Sequence, residues 1–268
     1  MTGDAAFEGS IPEIYDRYLT PLIFESYAQD LARRLRPSAP ARILEIAAGT
    51  GVATRAMAAA SPGSRIVSTD LNQAMLDRAA AIGPDDGRVT WRQANALALP
   101  FENESFDAVA CQFGAMFFPD RRKAYREALR VLKPGGMFVF SVWDRIERNE
   151  FAQAVTDALA MLYPDDPPRF LARTPHGYHD KTAIVADARA AGFTKIAIET
   201  VEERSRAPSP REPAVGYCQG TPLRGEIAAR DRSGLDRATG AAERAIAARF
   251  GGGPVEGLIA AHVVSCVR

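Results

Sequence analysis

Apolar and polar positions alternate between two periods from residue 41 to residue 143. ARILEIA (41–47), SRIVSTD (64–70), RVTWRQ (88–93), FDAVACQF (106–113) and MFVFSVW (137–143) are short runs rich in β-branched and aromatic residues, as strands are. Between them, GVATRAMAAA (51–60), NQAMLDRAAAI (72–82) and RRKAYREALRVL (121–132) carry helix formers, with Asn72 placed as an N-cap and Pro134-Gly135-Gly136 closing the last. Strands alternating with helices predict an α/β fold, a doubly wound, mainly parallel sheet with helices on both faces. Ligands in such sheets sit beyond the carboxyl ends of the strands, here after Ala47, Thr69, Gln93, Cys111 and Trp143.

The flanks are less regular. Residues 1–40 read as helical, as do 151–162, 181–193 and 235–250, while 194–204 and 257–268 read as strands and PDDPPRF as a loop. No repeat of solenoid period is present.

The 268 residues are 47% hydrophobic and 25% charged, which excludes wholesale disorder. Lys+Arg and Asp+Glu are each 33, so no basic field exists to hold a nucleic-acid backbone. The densest basic run, Arg121-Arg122-Lys123, reads as a solvated helix face. Apolar stretches are strand-length, so no membrane span is expected. The first residues show no basic segment followed by an apolar one, and Cys111, Cys218 and Cys266 lie far apart, which together suggest a cytoplasmic protein.

The sharpest chemical feature is ILEIAAGTG (43–51), set between a strand and a helix. Glycines there let a ligand approach the backbone. A dinucleotide fingerprint needs Gly or Ala where this chain has Thr54. Glu45 would repel a pyrophosphate but attract an ammonium group. Asp70, closing the second strand, can accept from both hydroxyls of a ribose. A nucleoside with an amino-acid tail and no phosphate satisfies both acids, and S-adenosylmethionine is such a ligand.

At these residues the chain resembles the class I S-adenosylmethionine-dependent methyltransferases, above all the small-molecule enzymes of ubiquinone/menaquinone type. LEIAAGTG, IVSTDLNQAML, QANALALPFENESFDAVACQFGAMFFPD and EALRVLKPGGMFVFSVW are similar to the family's motifs, in order. The resemblance implies a seven-stranded Rossmann-like sheet, order 3-2-1-4-5-7-6, its last strand antiparallel. It further implies one methyltransferase domain over 1–268: an N-terminal helical cap (1–40), a cofactor-binding core (41–143), substrate-side cap insertions (144–193 and 204–256) and the last two strands (194–203 and 257–268).

Carried over residue by residue, the resemblance puts Glu45, Ala47, Gly49, Thr50 and Gly51 along the methionine tail. Asp70 takes the ribose, Leu71 and Met75 pack the adenine, and Asn95 and Ala96 meet its edge. Gln112 and Phe113 flank the methyl group, and Tyr15 reaches the carboxylate. Two positions depart from the family habit: Ala47 stands where Gly is common and Asn95 where Asp is common.

A sulfonium leaving group needs alignment and exclusion of water more than it needs a nucleophilic triad. A general base helps when the acceptor is a phenol or an acidic carbon. His176 and His179 are the candidates, with a backbone-bonded loop histidine as the plainer reading; no acidic or cysteine partners gather beside them, so no metal is expected. Met116 and Phe117, with Phe113 and Phe118, suit an apolar or planar acceptor, or else ordinary core. The segment CQFGAMFF lacks the Asn/Asp-Pro-Pro-Tyr/Phe of base-methylating relatives, and the long insertions suggest an enclosed small-molecule site. The expected activity is O- or C-methylation of a small organic acceptor, by a monomer or a homodimer. The alternatives are a cofactor-binding protein of this fold without transfer, which would hold cofactor yet give no product, and a nicotinamide oxidoreductase, which would bind NADH.

Overall fold

In the computed structural model, residues 4, 7 and 9–268 are described; the part of the expected N-terminal helical region at 1–3, 5, 6 and 8 lies outside them. The apolar runs form strands β1 (Arg42–Ile46), β2 (Arg65–Asp70), β3 (Val89–Gln93), β4 (Phe106–Gln112), β5 (Leu132–Trp143), β6 (Lys195–Ala207) and β7 (Val255–Val267). They make one sheet of seven strands in the order β3-β2-β1-β4-β5-β7-β6, the order the family resemblance implies. Strand β1 pairs in parallel with β2 and β4, β2 with β3, and β4 with β5. Strand β7 runs against β5: the Gly135 N–H donates to the Arg268 carbonyl and the Arg268 N–H to that of Gly136, while at the other end the Asp144 N–H donates to the Ala260 carbonyl.

The helices are α1 (Ile11–Ile14), α2 (Glu25–Leu35), α3 (Val52–Ala60), α4 (Gln73–Ile82), α5 (Arg121–Val131), α6 (Glu150–Leu162), α7 (Phe170–Arg173), α8 (Lys181–Ala191), α9 (Arg211–Gln219), α10 (Leu223–Arg230) and α11 (Leu235–Phe250), with a π-helical stretch Tyr15–Phe24 between α1 and α2. Contacts divide the chain into two compact units. A sheet unit holds Glu25–Val142, Tyr178–Val201 and Ala261–Arg268, and a helical unit holds Met1–Phe24, Trp143–Gly177 and Glu202–Ala260.

In the sheet unit, one face buries Ile43, Ile66, Ala108, Ala110, Val139 and Val263 under Leu31 and Leu35 of α2 and Met57 of α3. Register pairs Ile43 with Ile66 and with Ala108, and Ala110 with Val139, which puts them on a shared face. The opposite face carries Phe138 and Phe140, packed against each other at 4.9 Å and against Tyr125 of α5. The basic run is only partly the solvated face expected: Arg122 pairs with Asp187 of α8 at 2.8 Å, and the Arg121 guanidinium lies 4.1 Å over the Tyr178 ring. In the helical unit, α11 packs against α6 and α9, and the Asn149 amide donates to the carbonyls of Asp144, Arg145 and Ala260.

Two features depart from the sequence reading. Strand β5 begins at Leu132, not 137, and takes in Lys133-Pro134-Gly135-Gly136; a register shift between Phe106 and Ala108 on β4 absorbs the extra residues. Helices α9 and α10 stand where no element was expected. Just before the first, the Ser209 N–H and hydroxyl both donate to Glu212 Oε2, and the Arg211 N–H donates to the Ser209 hydroxyl oxygen.

Candidate functional site

The polar residues of the sheet gather at the carboxyl ends of adjacent strands on the face covered by α2 and α3. Register pairs Glu45 with Ser68 on one side and with Ala110 on the other. Asp70 and Gln112 stand two residues beyond these partners, on the same face. After β1 the chain turns through three left-handed residues, Ala47 (φ +57°), Gly49 (φ +56°) and Gly51 (φ +80°). The family habit of Gly at 47 thus concerns the backbone conformation as well as the width of the turn; an alanine held there costs about 1–2 kcal/mol. Phe113, at the end of β4, is likewise left-handed at φ +52°. Strained non-glycine residues at two neighbouring strand ends mark the place where the fold sacrifices local stability.

The two glycines of the turn do different things. A methyl group on Gly51 would stand 2.8 Å from the Trp91 ring, so this glycine is required by packing. A methyl group on Gly49 would meet nothing within 4 Å, so this glycine faces open space. Its N–H donates to Asp70 Oδ2 at 2.9 Å, while Asp70 Oδ1 accepts from the Asn72 N–H at 2.8 Å. One buried carboxylate therefore ties the glycine turn to the start of α4. Burial raises its pKa, opposed by those backbone donors. Beside it, Thr50 Oγ1 is buried and has no hydrogen-bond partner among the described residues.

Glu45 is 1% exposed. Its Oε2 accepts from the hydroxyls of Thr54 and Ser68, the latter at 2.7 Å. Burial pushes its carboxyl up to about 7, against the pull of the two hydroxyls. Thr54 drew notice in the sequence only as a departure from a dinucleotide fingerprint, and Ser68 drew none. The strand register that brings them to Glu45 is tertiary; the available signal was that Ser68 shares a face with Asp70.

Leu71 is 40% exposed at the rim, one of the few large apolar side chains left in solvent, and Met75 is buried beneath. Asn95 Oδ1 accepts from the Leu97 N–H at 2.9 Å, capping its own turn, and Ala96 is half-buried. Gln112 and Phe113 are buried, with the Phe113 ring meeting Tyr27 of α2 edge-on at 5.3 Å. Met116 is buried and Phe117 half-buried in the 3₁₀ turn Ala115–Phe117. The remaining candidates divide between the units. In the helical unit, Tyr15 stacks on Phe24 at 5.0 Å, and the buried His176 places Nδ1 2.8 Å from the Asp144 carbonyl. His179 belongs to the sheet unit and is exposed. No group of three or more metal-binding side chains occurs among the described residues. No described helix is long and apolar enough to cross a membrane.

Known proteins agree with this architecture. The profile of a family described as Methyltransferase domain matches residues 44–140. A demethylmenaquinone methyltransferase of Clavibacter sepedonicus is 34% identical over 173 residues, 61% of this chain and 70% of that one. A ubiquinone/menaquinone biosynthesis C-methyltransferase of Methylobacterium nodulans is 39% identical over 126 residues, spanning 44% of this chain and 48% of the relative. The YcgJ protein of Bacillus subtilis shares the fold, with a TM-score of 0.56 at 21% identity, covering 91% of this chain and 98% of that chain. The chain belongs to the class I S-adenosylmethionine-dependent methyltransferases. Within that class it resembles the ubiquinone/menaquinone type, and it transfers methyl groups from S-adenosylmethionine to a small-molecule acceptor.

The residues present fit this cofactor. The open space over Gly49, the buried unpartnered hydroxyl of Thr50 and the Asp70 carboxylate with lone pairs beyond its two backbone bonds are what a nucleoside with an amino-acid tail requires.

Proposed function

We propose that this methyltransferase acts on an oxygen or an acidic carbon of a planar, largely apolar acceptor, a reduced quinone or a related phenol. The observation that carries the cofactor half of this reading is the Asp70 carboxylate beside the open face of Gly49. Asp70 would accept from the ribose hydroxyls, Leu71 and Met75 would pack the adenine, and Asn95 and Ala96 would meet its edge. With Oδ1 already capping a turn, Asn95 offers only its remaining lone pair. Glu45, Ala47, Gly49, Thr50 and Gly51 would line the methionine portion, and Gln112 and Phe113 the methyl group. When bound, the cofactor supplies an electrophilic methyl on a sulfonium leaving group. The chain's own task is to orient the acceptor and exclude water, which suits the buried Phe113 and Met116 and the half-buried Phe117.

A proton must leave a phenol or acidic carbon as it is methylated. His176 is the base we favour over His179. The Asp144 carbonyl can only accept, so Nδ1 carries the hydrogen and the neutral ring has its lone pair on Nε2. The quinone-type acceptor rests on the relatives named above. We read residues 1–268 as one methyltransferase domain with helical caps. Its buried free thiols, Cys111, Cys218 and Cys266, suit the cytoplasm, and a homodimer is the assembly to test by sedimentation.

Calorimetric titration with S-adenosylmethionine, S-adenosylhomocysteine and NADH, on wild type and Asp70→Ala, tests the cofactor half. Micromolar binding of both adenosyl ligands, lost in the variant, is expected; binding of NADH alone would overturn it. Mass analysis of quinol and phenol acceptors incubated with cofactor tests the rest, and methylation confined to amines would overturn the oxygen-or-carbon reading.

A further inference from the structure

Glu45 on β1, Thr54 on α3 and Ser68 on β2 form a triangle of oxygens. Both hydroxyls contact the same carboxyl oxygen, Oε2, and they lie 3.0 Å from each other. Thr54 and Ser68 are fully buried and Glu45 nearly so. The protons can be counted. An ionised carboxylate receives one proton from each hydroxyl, and the Thr54–Ser68 contact goes without. A carboxylic acid supplies a third, so each oxygen donates once and accepts once and the triangle closes. The same heavy-atom positions therefore serve both states, with only hydroxyl rotations between them.

The surroundings balance the two states near neutrality. Burial disfavours the charge, Asp70 on β2 disfavours it further, and the two hydroxyls with Arg55 on α3 favour it, leaving the group at about 7. Cys111 on β4, its thiol pushed up to about 12, adds no charge.

We propose that Thr54 and Ser68 are positioning residues that seat Glu45 in one place in both protonation states, so that uptake of the cationic cofactor releases a proton from Glu45 and departure of the demethylated product restores it. This rests on the reading that Glu45 serves the methionine portion. S-adenosylmethionine brings a sulfonium and an ammonium, whereas S-adenosylhomocysteine has lost the sulfonium charge. The ionised carboxylate attracts the first more than the second. Once the methyl has gone, the acid form returns, taking its proton from solvent, and the hold on the product weakens. No atom other than that proton moves between protein and buffer.

Calorimetry of the full chain at pH 7, in phosphate and in Tris, counts the protons released. About half a proton per S-adenosylmethionine bound is expected, and fewer for S-adenosylhomocysteine. Affinity for the former should fall about fivefold from pH 7 to pH 6. Glu45→Gln should bind without proton release. Thr54→Val removes a donor to the charged form, so the midpoint of the pH dependence should rise by about one unit, and Thr54→Ser should restore it. Binding with equal enthalpy in both buffers, or a midpoint indifferent to Thr54→Val, overturns this coupling while leaving the cofactor reading intact. Absence of adenosyl binding overturns both.

Discussion

Gly114 has no side chain where Ala47 carries one: a methyl group on Gly114 would stand 2.4 Å from Ala47 Cβ and 2.9 Å from Cys111 Sγ. The turn after β1 and the turn after β4 are thus fitted to each other, and the alanine in the first is matched by a glycine in the second. Gly114→Ala should destabilise the protein by about 1–3 kcal/mol through overpacking. Ala47→Gly should raise stability slightly, by about 0.5–1 kcal/mol. Relief of the left-handed alanine is worth about 1–2 kcal/mol, and the added freedom of the unfolded chain takes back part of it. The double variant should recover more than the sum of the two changes, by at least about 0.5 kcal/mol, because the closer of the two clashes needs both methyl groups. Urea unfolding of the four proteins checks this, and strict additivity would remove the Ala47–Gly114 contact as its cause.

What could be read from sequence follows from how local each cause is. Strands β1, β2 and β4 and helices α3, α4 and α5 were legible because hydrophobic period and turn residues are properties of neighbours in the chain. Asp70 and the glycine turn were legible for the same reason. The left-handed φ of Ala47 and Phe113 was not, since the bonds beside them reach other strands: the Ala48 N–H donates to the Thr69 carbonyl and the Phe113 N–H to that of Ser141. Helix α9 was missed although Ser209 and Glu212 stand at capping-box spacing; Pro210 and Pro213 disguised a helix start as a loop. The Glu45–Thr54–Ser68 triangle joins three elements and has no signature in any one of them.

Asp70 serves the turn as well as the proposed ribose site, so its variants should fail in two ways. Asp70→Ala strands the N–H groups of Gly49 and Asn72, each about 1–3 kcal/mol when buried and unpaired. It should also weaken S-adenosylhomocysteine by at least about 100-fold, the worth of two charge-assisted hydrogen bonds. Asp70→Asn should recover at most one of the two backbone bonds, because its amide presents one acceptor to two backbone donors, and should not restore the affinity. Lower stability with unchanged affinity by calorimetry would confine Asp70 to holding the turn.

Glu45 also makes stability depend on pH with a definite sign. Its carboxyl rises from 4.5 to about 7 on folding. The folded state therefore binds the proton more tightly, and the associated stability is fully present below the unfolded value and lost as pH rises through about 7. Wild type should lose a few kcal/mol between pH 4.5 and 8 from this group, at about 1.4 kcal/mol per pKa unit. Glu45→Gln, neutral throughout, should flatten that slope and gain on wild type at pH 8. Urea midpoints at pH 5 and pH 8 decide it; parallel losses in both proteins would place the pH dependence elsewhere.

The proposed base can be separated from a merely structural histidine by what its removal leaves intact. His176 gives its Nδ1–H to the Asp144 carbonyl, which fixes the ring and its tautomer. His176→Ala should therefore cost some stability whatever its role. As a base it should in addition lower kcat by about 10²–10⁴-fold and abolish the acid limb of the kcat profile, with S-adenosylhomocysteine affinity held within about twofold. The exposed His179 should tolerate alanine with kcat within about twofold. Activity falling only in step with the unfolding midpoint, on an unchanged pH profile, would leave His176 a structural residue and require an acceptor that sheds its proton without help from the protein.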